Sequence, residues 1–186
     1  MIRGVDALCG PVAVAAAVLS LGGLAKLVRP IPTAGALRAL HLPGPLLGVR
    51  SLGLGELIVG VVAVLTGASP LLAVVGSMYL AFAIFVVAAK RAGTDIQSCG
   101  CFGTIDTPPS VVHVAVNLLF AAVTLTAAVV GVPPLATVLG DQPAAGVPFV
   151  MLGAVTVYLV YLAIAVLPLA GVPGRVGVGI SGGAAS

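Results

Sequence analysis

The chain has 186 residues, 60% of them hydrophobic and only 7% charged, with a net charge of +3. A soluble domain carries about 25% charged residues, so a soluble globular protein is excluded, and several runs reach the roughly 20 apolar residues that cross a bilayer. The basic residues cluster at the ends of those runs, where positive charge sets orientation, so the positive balance is not a nucleic-acid footprint.

The first predicted span runs from about Val5 to Val28 and stops at Arg29-Pro30. Arg3, the apolar run and Gly23-Leu24-Ala25 mimic a secretory signal with its cleavage site. The run is of span length, however, and Lys26 and Arg29 follow it, which suits a retained anchor better. Cys9, at the start of the run, reads as a small apolar residue packed in a helix. Between Thr33 and Leu42, apolar Ala34, Leu37, Ala39 and Leu40 alternate with Arg38 and His41. With Thr33 as cap and Pro43-Gly44 as terminator, this segment reads as a short helix on the membrane surface.

The second span runs from about Leu46 to Thr66, and Gly67-Ala68-Ser69 turns the chain tightly into the third, making the two antiparallel neighbours. Glu56, the sole glutamate of the chain, sits one or two turns inside the second span. A carboxylate within a membrane is costly unless paired, and it marks a functional-site hypothesis by default. Two readings stand: an ion pair with Lys26 or Arg50 that fixes packing, or a functional role as a proton relay or in contact with a redox partner.

The third span begins at Pro70 and ends at Lys90-Arg91. The fourth begins at Ser110, a suitable N-cap, and ends near Val132-Pro133. Within it His113, Asn117 and Thr124 recur in steps of four and seven, so one helix face is polar and should point into the bundle. That face reads as interhelical hydrogen bonding, or more sharply as a site where His113 accepts protons; its unperturbed pKa of about 6.5 suits exchange near neutrality. The fifth span runs from about Val147 to Val172, and a Gly-rich tail from Arg175 is expected to be mobile. The fold class is therefore all-α and polytopic: a four-helix membrane bundle over residues 1–132, a loop and fifth transmembrane helix over 133–172, and a tail over 173–186.

Ser98-Cys99-Gly100-Cys101-Phe102-Gly103 lies in the polar loop between the third and fourth spans. Gly100 leaves the backbone free to close a very small ring between the two cysteines. Such a disulfide is strained, and strained disulfides are the reducible, exchange-active ones. A structural disulfide, inert thiols and a zinc site with His113 and a carboxylate are the alternatives. Zinc is disfavoured because structural sites usually separate their cysteines by two to four residues, so no metal is predicted. With five spans, Lys26, Arg29, Arg38, Arg50, Lys90, Arg91 and Arg175 all fall on one face and only Arg3 on the other. That bias predicts a bacterial plasma-membrane protein with its N-terminus outside, and its C-terminus and the Cys99–Cys101 loop on the cytoplasmic side.

Gly23-Leu24-Ala25-Lys26-Leu27, Leu54-Gly55-Glu56-Leu57, Cys99-Gly100-Cys101-Phe102-Gly103 and the later Asn117 give the chain a familiar pattern. It resembles the methylamine utilisation protein MauE family, among the DoxX-like membrane proteins, over roughly residues 10 to 130. The resemblance implies a four-helix bundle that takes part in thiol–disulfide chemistry. It also implies a thioredoxin-like partner and a role in maturing a disulfide-rich dehydrogenase subunit outside the cytoplasm. On these residues it makes Cys99 and Cys101 the redox pair, with Lys26, Glu56 and Asn117 as pattern positions.

The expected function is a membrane thiol–disulfide relay in which Glu56 or His113 accepts protons. The alternative is a non-catalytic subunit that anchors or assembles an electron-transfer complex with other membrane subunits. A quinone is the candidate cofactor, although no residue pattern marks a pocket for it. The two lines of reasoning pull apart on one point: maturation outside the cell needs electrons from the outer face, whereas the charges put Cys99 and Cys101 inside.

Overall fold

In the computed structural model, residues 6–91 and 109–166 are described, and among them the chain is helical with no strand. The elements are α1 (Asp6–Val28), α2 (Ile31–Ala39), α3 (Leu46–Thr66), α4 (Ser69–Arg91), α5 (Val111–Val130), α6 (Leu135–Gly140), a 3₁₀ turn (Pro143–Gly146) and α7 (Val147–Ala165). Helices α1, α3, α4, α5 and α7 are each long and apolar enough to cross a membrane. The protein is thus a polytopic all-α membrane protein. Cys99 and Cys101 lie outside the described residues, as do Arg3 and the tail from Arg175.

The core helices share one packing rhythm. Along α3 the buried positions are Val49, Gly53, Glu56, Gly60 and Ala63, and along α5 they include His113, Asn117, Phe120, Thr124 and Ala127. Both sets advance in alternating steps of four and three. That spacing keeps one seam facing a partner helix at a shallow left-handed crossing. Helix α1 packs along α3, α4 packs along α5, and α1 also touches α5 and α7. Tyr79 ties the two pairs together from α4: its hydroxyl donates to the carbonyl of Ala15 in α1 at 2.6 Å, and its ring lies 5.2 Å from that of Phe120 in α5.

Small residues set how closely α1 approaches α3. A Cβ at Gly23 would come within 2.5 Å of the Gly53 carbonyl oxygen, and one at Gly53 would come within 2.6 Å of the Gly23 carbonyl oxygen. Further along the seam, a Cβ at Gly60 would collide with the Ser20 hydroxyl. Backbone contact of this kind is what small residues contribute in a bilayer, where lipid is as apolar as leucine and helices associate through tight packing and polar bonds. The turn into α4 is equally local. Gly67 takes a left-handed φ of 64° and donates to the Ala63 carbonyl at 2.9 Å, closing α3.

Two segments differ from the sequence reading. Helix α2 starts at Ile31 rather than Thr33, with Pro30 at its N-cap and Pro32 in its first turn, and Thr33, Ala34 and Ala36 are buried. It does not merely rest on the membrane surface: Ala36 and the following Ala39 and Leu40 pack with Phe85 and Ala89 near the end of α4. It ends before Pro43-Gly44, because His41 adopts φ 58°. The His41 N–H then donates to Arg38 O and the Leu42 N–H to Leu37 O, a Schellman closure. Helix α6 was not expected at all. It caps the opposite end of the bundle, where Val138 is buried near Cys9. Helix α7 is regular to Ala165, and the rest of the expected fifth span, from 167 to Val172, lies outside the described residues.

The glycine seam makes a direct prediction. Gly23→Val is expected to destabilise the bundle by about 1–3 kcal/mol or more, the usual range for overpacking. Gly55→Ala, whose Cβ would meet nothing within 4 Å, should be neutral. Thermal unfolding of the two variants in the same detergent checks the contrast.

Candidate functional site

The two helices run antiparallel across the glycine contact, so the residues that flank it on either side reach over it: Glu56 lies against Gly23 and Lys26 against Gly53. Three residues past Gly23 in α1 is Lys26, and three residues past Gly53 in α3 is Glu56. Lys26 Nζ donates to Glu56 Oε2 at 2.7 Å. Both side chains are almost wholly buried: Lys26 is 5% exposed and Glu56 0%. The Lys26 ammonium also sits 5.1 Å above the Phe82 ring of α4, a cation–π distance, with a long 3.5 Å contact to the Gly22 carbonyl. Of the two partners foreseen for Glu56, the structure selects Lys26; Arg50 is exposed on α3.

The pair is only half satisfied. Glu56 Oε1 is buried with no hydrogen-bond partner among the described residues. Removing an ionised carboxylate from water is expensive, and its remaining lone pairs normally require partners. Beside it lies a cavity of about 40 Å³ to which α1, α3, α4, α5 and α7 all contribute. Lys26, Glu56, His113 and Asn117 supply its polar wall. Tyr79, Phe82 and Ile164 supply much of the apolar one.

His113 reaches this cavity because α5 begins two residues before it. Ser110 occupies the N-cap position with extended backbone, as expected, but makes no capping bond to the helix. Its hydroxyl instead bonds His113 Nδ1 at 2.7 Å, which fixes the ring. No described residue bonds Nε2. The other polar residues of that face behave differently from the interhelical bonding expected of them. Asn117 donates to the His113 carbonyl at 2.7 Å, and the Thr124 hydroxyl donates to the Phe120 carbonyl at 2.7 Å. Both bonds fall within α5, a local satisfaction typical of such residues in apolar helices. Thr124 has no exposed surface and packs toward Gly76 of α4, away from the cavity.

The sequence reading missed Tyr79 and Phe82. Their signal was present: they are two of the three aromatic residues midway along the third span, three residues apart and so on one helix face. The cavity spans the middle of α3 and α4, at Glu56, Tyr79 and Phe82, and reaches toward the end of the bundle where α1 and α7 finish and α5 begins. At that end α4 finishes at Arg91 and α5 starts at Val111; residues 92–108 between them, which hold Cys99 and Cys101, lie outside the described residues. Arg29, Arg38, Arg50, Lys90 and Arg91 are exposed around that end. Lys26 is neutralised by Glu56 and drops out of the charge balance. Cys9 lies buried near the other end of α1, so it is remote from this site.

Breaking the pair is predicted to hurt more than deleting it. Lys26→Met should lower stability by about 3–5 kcal/mol by leaving a buried carboxylate uncompensated, whereas the double variant Lys26→Met/Glu56→Leu should recover most of the loss. A double-mutant cycle on reversible unfolding in detergent measures this directly.

The model of the methylamine utilisation protein MauE family matches residues 6–132, from the start of α1 to just beyond α5. No curated protein and no solved structure matches the chain. The match takes in Lys26, Glu56, His113 and Asn117 and the segment with both loop cysteines, and it leaves out α6 and α7. Over two thirds of its length, this chain belongs to the MauE family.

Proposed function

We propose that the protein is a membrane thiol–disulfide relay serving methylamine utilisation, with Cys99 and Cys101 as its exchanging pair. The observation that carries this reading is the half-satisfied Lys26–Glu56 pair beside His113, toward the bundle end where α4 finishes and α5 begins, the two helices that flank Cys99 and Cys101 in the sequence. In each exchange, a disulfide of a thioredoxin-like partner is reduced to two thiols while the Cys99 and Cys101 thiols become a disulfide. Two electrons pass to the partner, and the protons released by the attacking thiols need nearby acceptors. Glu56 and His113 are the candidates. Run in reverse, the same steps reduce the loop and oxidise the partner, which is the direction that would support disulfide formation in an exported electron-transfer protein.

Helix α7 favours a second reading. Only its Ile164 and Ala165 are buried and Val157 and Val160 pack partly against the core, while an outer face with Val150, Met151, Leu152, Val155 and Leu159 is exposed to lipid or to another membrane subunit. On that reading the chain anchors or assembles an electron-transfer complex, and the loop cysteines are dispensable.

Cys99→Ser is expected to abolish turnover of partner disulfides in cells, read by maleimide trapping of partner thiols with and without reductant. Unchanged partner oxidation sinks the relay. A stable stoichiometric complex that survives loss of both cysteines supports the subunit reading instead. Charge bias predicts that a membrane-impermeant thiol reagent reaches Cys99 and Cys101 from the cytoplasmic side, even with Lys26 discounted. Labelling from the opposite side would reverse the orientation.

A further inference from the structure

We propose that the cavity beside Glu56 is a hydrated proton-exchange site, in which bound water joins Glu56 Oε1 to His113 Nε2 while Lys26 holds the carboxylate in place. Three observations meet in it. Glu56 is fully buried and its Oε1 has no partner among the described residues, so it calls for a hydrogen-bond donor. Next to it is about 40 Å³ of space. One water needs roughly 10–15 Å³ by the same measure, so about three fit. Across that space stands His113, whose ring is fixed through Nδ1 by Ser110 and whose Nε2 no described residue bonds.

The surrounding groups define the ligand. Lys26 faces the carboxylate from α1 and is already spent on Oε2, the Phe82 face and the Gly22 carbonyl. A second cation would meet its charge, and an anion would meet that of Glu56. Tyr79 of α4 turns its hydroxyl away onto Ala15 O, and α7 contributes the aliphatic Ile164. A neutral molecule that both donates and accepts hydrogen bonds is what remains, and water is the one small enough. The exchange balances: a proton leaves the His113 imidazolium at Nε2 and passes along the water, and a proton arrives at Glu56 Oε1. The imidazole becomes neutral, the carboxylate becomes a carboxylic acid and Lys26 keeps its charge. The site stands on the cavity alone, so it holds or fails whether or not Cys99 and Cys101 exchange electrons.

The composition of the chain supplies its own probe. Glu56 is the only glutamate, so carboxyl-labelled glutamate gives one magnetic-resonance signal; His41→Asn leaves His113 as the one labelled histidine. In lipid bilayers, the Glu56 carboxyl carbon should take up magnetisation from water. That transfer should be lost in Val116→Phe, which fills the cavity from α5, while the Lys26–Glu56 coupling persists. If that variant loses the coupling as well, Val116→Leu, one methylene larger than the native residue, is read in its place. Glu56→Gln should also shift the His113 ring-nitrogen signals. The proposal is overturned if the carboxyl carbon receives nothing from water, if filling the cavity leaves the transfer unchanged, or if the His113 signals ignore Glu56→Gln.

Discussion

The Lys26–Glu56 pair is the constraint around which the rest of this bundle is organised. Neither charge is tolerable alone inside an apolar slab, and the two meet across the point where backbone touches backbone, Glu56 lying against Gly23 and Lys26 against Gly53. The interaction therefore demands a specific register of α1 on α3. Slide one helix by a turn and the two charges separate, leaving the carboxylate without the one partner it bonds among the described residues. Packing and electrostatics are one requirement here: the glycines permit the pair, and the pair penalises every other way the glycines could pack.

That register also explains why polarity collects at one end of the molecule. Phe82 lies under the ammonium and Tyr79 is tethered to α1 by its hydroxyl, so α4 is held to the same depth as the pair. Helix α5 follows because its seam packs on α4, and its first turn then delivers His113 to the cavity. The opposite end is closed differently, by the short α6 and by apolar contacts around Val138. The bundle is thus asymmetric along its axis: among the described residues the buried ionisable groups, Lys26, Glu56 and His113, lie toward the end that bears the exposed arginines, and the other end carries only Asp6 and Asp141, at helix termini.

Much of this was legible in the sequence, and the reasons are specific. The five long helices announce themselves because apolar runs of bilayer length have few alternatives, and the spacing of His113, Asn117 and Thr124 marked the inward face of α5 before any coordinates. The choice of Lys26 over Arg50 for Glu56 was not legible. It depends on interhelical register, which is set by glycines whose role appears only when two helices are brought together. Nor was the self-bonding of Asn117 and Thr124, since a polar residue in an apolar helix can turn to a neighbour or back to its own carbonyls, and its spacing is the same in both cases. Helix α2 misled because a helix of alternating character suits a membrane surface, yet Thr33, Ala34 and Ala36 are small enough to tuck against the bundle. The short α6 carries too few residues for any period to show. Cys99 and Cys101, which the sequence marks most strongly, lie outside the described residues.

The position of the ion pair also bears on how the chain enters its membrane. Lys26 and Glu56 are thirty residues apart and belong to successive spans, α1 and α3, joined through α2. On translocon-insertion scales, a lone charge at mid-bilayer costs about 2.5–3.5 kcal/mol, and each of these helices would bear such a charge if it met lipid by itself. Entering as a hairpin, with the glycine seam already closed, the two meet lipid as a neutral unit. The order of synthesis matches that need, because α1 is waiting when α3 emerges. A bond that looks like an internal detail of the finished protein thus sets the smallest piece that can be laterally released as one: not a helix, but the first two spans together.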